Sequence, residues 1–293
     1  MYIATLVASD ALSETAIKDA GVRLLQSDCG PDDFIWLDEG KAADIPFQWA
    51  PEKARNALEE TVPGTDVIIQ LVYGREKKLL VADMDSTMIT VECIDELADY
   101  AGIKAQIAEV TERAMRGELD FAEALDARVA LLKDLEESAI DRCLAERVRL
   151  MPGAKTLVRT MKARGATTII VSGGFTRFAE PVGREIGFDR VIANVLEIGE
   201  ARLTGTVTKP IVDSTTKETT LLNALAELGL TAGQSMAVGD GANDLAMIRQ
   251  AGLGVAYHAK PIVAAAAGAR VDHGDLTALL YAQGIASKDW VDA

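Results

Sequence analysis

The sequence is poor in several residues on which common catalytic and structural schemes depend. Among its 293 residues are 3 cysteines, 2 histidines and only 5% aromatics. Cys29, Cys93 and Cys143 are odd in number, far apart and in no CxxC pair, which argues against a disulfide framework or zinc knuckle and for a reducing, cytoplasmic compartment. His258 and His273 both lie late in the chain. A histidine-rich metal centre is therefore excluded, a Ser-His-Asp triad has few places to come from, and proton transfer falls to carboxylates. Basic residues are also outnumbered, 30 against 45 acidic, for a formal charge of −15. Such an excess repels phosphate backbones and anionic lipid, so neither nucleic acid nor membrane is an expected partner, and any phosphate must be met by local charge. No apolar run approaches the roughly 18 residues of a membrane span. Residues 1–8 lack the basic start of a signal peptide and read as a strand.

What is present is ordinary for a globular protein: 49% apolar and 26% charged residues, in a length that suits one large domain or two. Residues 1–76 read as a small α/β unit with strands over 2–8, 33–37 and 66–73 and helices over 14–25 and 51–60. The order resembles an amino-acid-binding regulatory (ACT-like) module with one strand missing or degraded. A structural unit used for homodimer contacts fits the same pattern. From residue 77 to 293 the character changes. Apolar strands over 78–82, 167–171, 235–238 and 253–257 alternate with helices over 154–164, 175–186, 217–228 and 244–250. This pattern predicts a parallel, Rossmann-like sheet covered on both faces, with ligands at the carboxyl ends of its strands. Two segments interrupt it: a wholly helical insert at about 91–149 and a β-hairpin over 194–208. Residues 263–267 read as a helix.

The polar residues at those strand ends carry the chemistry. Asp83-Met84-Asp85-Ser86-Thr87 leaves a buried strand with carboxylates at i and i+2, which reach one site if the chain continues extended. One suits a nucleophile or metal ligand and the other proton transfer; helix capping is the plain alternative. Ser172-Gly173-Gly174 offers a hydroxyl and glycine backbone to a phosphate oxygen, or a simple turn. Lys217 stands near a helix start, where the dipole does not favour a cation: a solvated residue on a surface, a point charge in a phosphate site. Gly239-Asp240-Gly241-Ala242-Asn243-Asp244 presents two carboxylates and an amide on a sharp turn. Together with Asp83 and Asp85 it forms the oxygen-rich set that Mg²⁺ prefers. The spacing does not fit an EF-hand, and Pro152-Gly153-Ala154-Lys155-Thr156 lacks the glycine before the lysine of a Walker loop.

These four elements, in this order, resemble the haloacid dehalogenase (HAD) superfamily of phosphohydrolases over about residues 77–283, with the helical insert as its mobile cap. Within the superfamily, residues 111–121 with Arg128-Val129 and Leu131-Leu132-Lys133 resemble the cap of the phosphoserine phosphatases. The resemblance implies Mg²⁺-dependent hydrolysis of O-phospho-L-serine, the last step of serine biosynthesis. In it Asp83 is the nucleophile that becomes an aspartyl phosphate, and Asp85 is the general acid and then base. The metal is held by Asp83, the backbone carbonyl of Asp85 and Asp240, with Asp244 an outer or additional ligand. Ser172, Gly173, Lys217 and Asn243 hold the phosphoryl group. Glu92 and Arg128 take the substrate ammonium and carboxylate, and Met115 and Phe121 line an apolar lid. On the residues alone, Glu92 reads as a solvated helix residue, Arg128 as an ion-pair partner, and Met115 and Phe121 as cap core. A phosphatase or phosphotransferase acting on another small phosphomonoester, such as phosphohomoserine, is the alternative. A reading of another class, an amino-acid sensor with an inert phosphatase fold, is disfavoured because no required position is lost.

Overall fold

The computed structural model describes residues 1–59, 61–116 and 118–291. The amino-terminal unit runs β1 (Tyr2–Ala8), α1 (Glu14–Gln26), β2 (Ile35–Asp38), β3 (Ala42–Phe47), α2 (Pro51–Leu58) and β4 (Thr65–Leu71). Ser13 starts α1 by accepting a bond from the Ala16 amide, and Pro51 opens α2 where its missing N–H costs nothing. The four strands form an antiparallel sheet in the order β2-β3-β1-β4, a βαββαβ unit. The strand expected to be missing or degraded is present in the sheet. It is β3, whose Ala-Ala-Asp-Ile-Pro-Phe sequence hides its period behind Asp44 and Pro46. Asp44 is buried there because it pairs with Arg75 and accepts a bond from Thr5.

The larger unit begins with β5 (Leu79–Ala82), followed by four helices, α3 (Cys93–Tyr100), α4 (Lys104–Met115), α5 (Phe121–Leu131) and α6 (Ser138–Arg147). Then come α7 (Ala154–Ala163), β6 (Thr167–Phe175), α8 (Thr176–Ile186) and β7 (Arg190–Asn194). A hairpin of β8 (Leu196–Gly199) and β9 (Arg202–Val207) precedes α9 (Ser214–Leu228), β10 (Ser235–Gly239), α10 (Leu245–Gln250) and β11 (Leu253–Tyr257). The chain closes with α11 (Pro261–Ala264), β12 (Ala269–Val271) and α12 (Ala278–Ala282); the expected helix at 263–267 is therefore shorter and earlier. β5, β6, β7, β10, β11 and β12 make a parallel sheet in the order β12-β11-β10-β5-β6-β7. From β5 the chain winds outward to β7, returns across to β10 and winds outward again to β12. The order reverses between β5 and β10, and at such a switch point the loops diverge and leave a crevice.

The α3–α6 insert leaves and returns beside that crevice, where Ile89 and Leu150 form an isolated bridge and the Met151 amide donates to the Met88 carbonyl at 2.9 Å. The β8–β9 hairpin belongs to this insert in packing terms. Leu196, Leu203 and Val207 join Leu125, Val129 and Leu132 in one apolar cluster, and the Asp134 amide donates to the Leu203 carbonyl at 2.9 Å. Among the described residues no helix is long and apolar enough to cross a membrane.

Candidate active site

Buried Leu79–Ala82 delivers Asp83 to the switch point, and the loop after it is tight. The Met84 amide donates to Asp83 Oδ1 at 2.8 Å, the Met88 and Ile89 amides return to the Met84 carbonyl, and Ser86 takes a left-handed φ of 54°. From the other side β10 ends at Gly239 and delivers Asp240 and Asp244. Gly239 is required for this: a Cβ there would stand 2.4 Å from Asp244 Cγ. The Gly241 amide donates to Asp244 Oδ2 at 3.0 Å.

The result is a cluster in which ligand oxygens of Asp83, Asp240 and Asp244 lie within 4.8 Å of one another. Lys217 comes up from the first turn of α9, which Asp213 caps. Its fully buried ammonium lies 2.7 Å from both Asp83 Oδ1 and Asp244 Oδ1. Burial opposes that charge, but the carboxylates of Asp83 and Asp244 outweigh it and hold Lys217 above the ordinary lysine range. Burial, then Asp83, pushes Asp244 up to about 7; burial, then Asp83 and Glu92, pushes Asp240 up to about 6. One lysine among three crowded carboxylates leaves negative charge uncompensated. An all-oxygen, anionic donor set of this kind fits a hard divalent cation.

Asp85 stands apart from that cluster. Its Oδ1 accepts from the Cys93 amide at 3.3 Å, and burial, then Glu92 and Asp83, pushes it up to about 8. A carboxyl kept protonated near neutrality is what proton donation to a leaving group needs. Facing it is β6, which does not end at residue 171 as the sequence suggests but continues through Ser172-Gly173-Gly174 to Phe175. The glycines serve close approach, since a Cβ on Gly174 would lie 2.8 Å from Asp85 Oδ2 and one on Gly173 3.2 Å from the Phe121 ring. Ser172 is buried, and its Oγ accepts from the Gly174 amide at 2.9 Å, leaving its proton free to donate.

Phe121, the first residue of α5, therefore reaches from the insert onto the β6 loop. Asp120 and Glu123 fix that helix start with reciprocal side-chain to backbone bonds of 2.8 and 2.9 Å. Arg128, two turns along, is half-buried. Burial draws its pKa down, while Asp95, Glu92 and Asp85 favour its charge. Glu92 caps the other side of the cleft at the start of α3; Ser86 Oγ donates to it at 2.9 Å, and burial pushes its carboxyl up. Asn243 is half-buried in the turn between Asp240 and Asp244. The side chain of Met115 lies outside the described residues.

Three residues given no role from the sequence also shape the site. Thr87 Oγ1 approaches Asp240 Oδ1 at 3.4 Å, and Ser86 orients Glu92. Asn194, buried at the end of β7, donates to the Gly173 carbonyl at 2.8 Å and accepts from the Val212 amide at 2.7 Å. A polar residue at a strand's carboxyl end is the signal that would have found Asn194, had β7 been recognised as a strand.

The sequence pattern of haloacid dehalogenase-like hydrolases matches residues 77–252. A phosphoserine phosphatase from Streptomyces coelicolor is 45% identical over 82% of this chain, and the chain spans 58% of that relative's length. Among solved structures, a HAD-family hydrolase from Salmonella enterica serovar Typhi superposes with a TM-score of 0.85 at 28% identity, covering 96% of this chain and 97% of its own. A phospho-aspartyl intermediate analogue of phosphoserine phosphatase superposes with a TM-score of 0.65 at 35% identity, covering 70% and 98%.

Proposed function

The chain belongs to the haloacid dehalogenase-like hydrolases, and from that premise we propose that it hydrolyses O-phospho-L-serine to L-serine and phosphate with Mg²⁺ as cofactor. The observation that carries the reading is the switch-point constellation. A buried aspartate is oriented by Lys217 and Met84 through one oxygen, with a second aspartate kept protonated across the cleft and an arginine and a glutamate above it.

Phosphate-monoester hydrolysis is among the slowest uncatalysed reactions, so positioning and charge stabilisation must supply a very large barrier reduction. Asp83 Oδ1 is committed to Lys217 and the Met84 amide, which leaves Oδ2 to attack phosphorus. The serine oxygen departs in line and takes its proton from Asp85, and an aspartyl phosphate remains on Asp83. Asp85, now a carboxylate, takes a proton from water as that water attacks the phosphoryl group, and Asp83 is released with inorganic phosphate. Ser172 Oγ, the Gly173 amide, Lys217 and Asn243 donate to the phosphoryl oxygens. Mg²⁺, held by Asp83, Asp240, Asp244 and the carbonyl of Asp85, would screen the repulsion between nucleophile and phosphate dianion. Glu92 takes the substrate ammonium and Arg128 its carboxylate, while Phe121 forms the apolar lid that keeps water out. The solved intermediate analogue of a phosphoserine phosphatase supports the covalent route.

The test of substrate choice is a comparison of kcat/KM for phosphoserine, phosphohomoserine and sugar phosphates in wild type and Arg128→Ala. Arg128→Ala should lower the phosphoserine value by at least about tenfold, the cost of a lost charge-assisted pair, and leave sugar phosphates nearly unchanged. An equal loss on all substrates contradicts the carboxylate role. Three buried free thiols support a reducing, cytoplasmic setting. We also propose that residues 1–76 form a domain distinct from the phosphatase at 77–293, with half-exposed Val22, Leu25 and Ile35 supporting homodimer contacts; sedimentation velocity decides the oligomeric state.

A further inference from the structure

We propose that Asp66, in the amino-terminal unit, is a positioning residue for the loop that carries Asp240, and so couples that unit to metal binding. The inference rests on the reading of Asp240 as a metal ligand. Asp66 lies at the start of β4 and is 3% exposed. It reaches out of its own unit to the segment after β12, where it accepts three consecutive backbone amides. Those of Asp272 and His273 donate to Oδ1 at 2.7 and 3.0 Å, and that of Gly274 donates to Oδ2 at 2.8 Å. A buried carboxylate needs such donors, and three successive amides turned inward need an anion. The fit leaves no spare room: a Cβ on Gly274 would stand 2.9 Å from Asp66 Oδ2.

The segment held in this way touches the next strand end. The Gly274 carbonyl lies 2.9 Å from His258 Nε2, and because a carbonyl only accepts, Nε2 carries the proton. His258 also donates its amide to the Val271 carbonyl at 2.8 Å. These two bonds hold it in the left-handed region, φ 42°, which a residue with a Cβ occupies only when its surroundings impose it. Two residues on, the Lys260 amide donates to the Asp240 carbonyl at 3.2 Å. The path therefore runs from Asp66 through 272–274 and His258 to Lys260 and Asp240, along the carboxyl ends of neighbouring strands β12, β11 and β10. Other bonds between the two units lie elsewhere: Gln70 donates to the Ala282 carbonyl and Arg75 to the Tyr281 and Ala282 carbonyls on α12, the Ser287 amide donates to Asp38, and Arg55 donates to the Ala267 and Gly268 carbonyls ahead of β12. The Gln70 bond to α12 thus serves docking without meeting the 272–274 segment.

The experiment uses the full chain as Asp66→Asn, Gly274→Ala and Gln70→Ala. Asp66→Asn is isosteric but turns an amide N–H against a backbone N–H; Gly274→Ala displaces Asp66 from the opposite side; Gln70→Ala trims docking alone. Calorimetric titration with Mg²⁺ alone, and hydrogen exchange at residues 240–244 and 258–260 of the metal-free protein, are the readouts. Asp66→Asn and Gly274→Ala should each weaken Mg²⁺ binding at least about fivefold and raise exchange at both segments. KM for phosphoserine at saturating Mg²⁺ should stay within about twofold, since Glu92 and Arg128 are untouched. Gln70→Ala should lower the melting temperature without either change. The coupling is overturned if Asp66→Asn and Gly274→Ala lose melting temperature as Gln70→Ala does yet keep wild-type Mg²⁺ affinity and exchange. A wild-type chain that binds Mg²⁺ but leaves phosphoserine intact would refute the substrate reading, and the affinity and exchange comparison would still decide the coupling.

Discussion

At the residue scale the site is governed by how a buried lysine and five acids, Asp83, Asp85, Glu92, Asp240 and Asp244, share one cleft. Lys217 is fully buried and contacts two carboxylates at 2.7 Å, so its removal leaves two buried anions facing each other. Breaking such a cluster from one side costs about 3–5 kcal/mol. Lys217→Met should therefore lower the urea-unfolding free energy by about that amount in metal-free buffer, and added Mg²⁺ should restore part of it. Gly174→Ala tests the opposite kind of residue. Its Cβ would press on Asp85 Oδ2, so steady-state kcat should fall by about a hundredfold, the usual worth of a positioned acid, with an unfolding midpoint close to wild type.

At the element scale, strands with continuous apolar runs and the alternating β8–β9 hairpin were legible in the sequence, whereas β3, β7 and β12 were not. β5, β6, β10 and β11 are buried throughout most of their length, and their runs stop at the polar residues that line the cleft. β7 escaped notice because most of it is half-exposed and it begins with Arg190, while β12 has only three residues. β3 was hidden by a buried ion pair and a proline. The site followed the same rule. Asp83, Lys217, Asp240 and Asp244 stand at recognisable strand ends or helix starts, whereas Asn194 stands at the end of an unrecognised strand and Ser86 acts only through a fold-dependent bond to Glu92. The α3–α6 insert gives a prediction at this scale. Phe121 is 37% exposed yet touches the β6 loop, so Phe121→Ala should leave chemical denaturation within about 1 kcal/mol of wild type, as expected for a partly exposed side chain. Its kcat/KM should fall at least about tenfold through loss of water exclusion. The exposed pair of Lys209 with Asp126 joins the hairpin side to α5 at 2.7 Å; its loss through Asp126→Asn should cost under about 1 kcal/mol.

For the whole molecule, the charge of −15 sets the problem that the active site solves locally. On the proposed function, a strongly acidic protein that handles a phosphate dianion must gather positive charge at one point, and Lys217, Arg128 and a divalent cation would do so at the sheet's switch point. If Mg²⁺ is held by the folded chain as proposed, Mg²⁺ at a hundredfold over its Kd should stabilise the protein by about 2.7 kcal/mol, visible as a rise in melting temperature that chelation reverses. The central claim is that Asp83 is the nucleophile of a Mg²⁺-dependent phosphoserine hydrolysis. It is tested most directly by phosphate release from O-phospho-L-serine, with and without Mg²⁺, by wild type and Asp83→Asn. The account predicts turnover by wild type only with the metal and none by Asp83→Asn, which should remain folded; turnover by Asp83→Asn at the wild-type rate would contradict it.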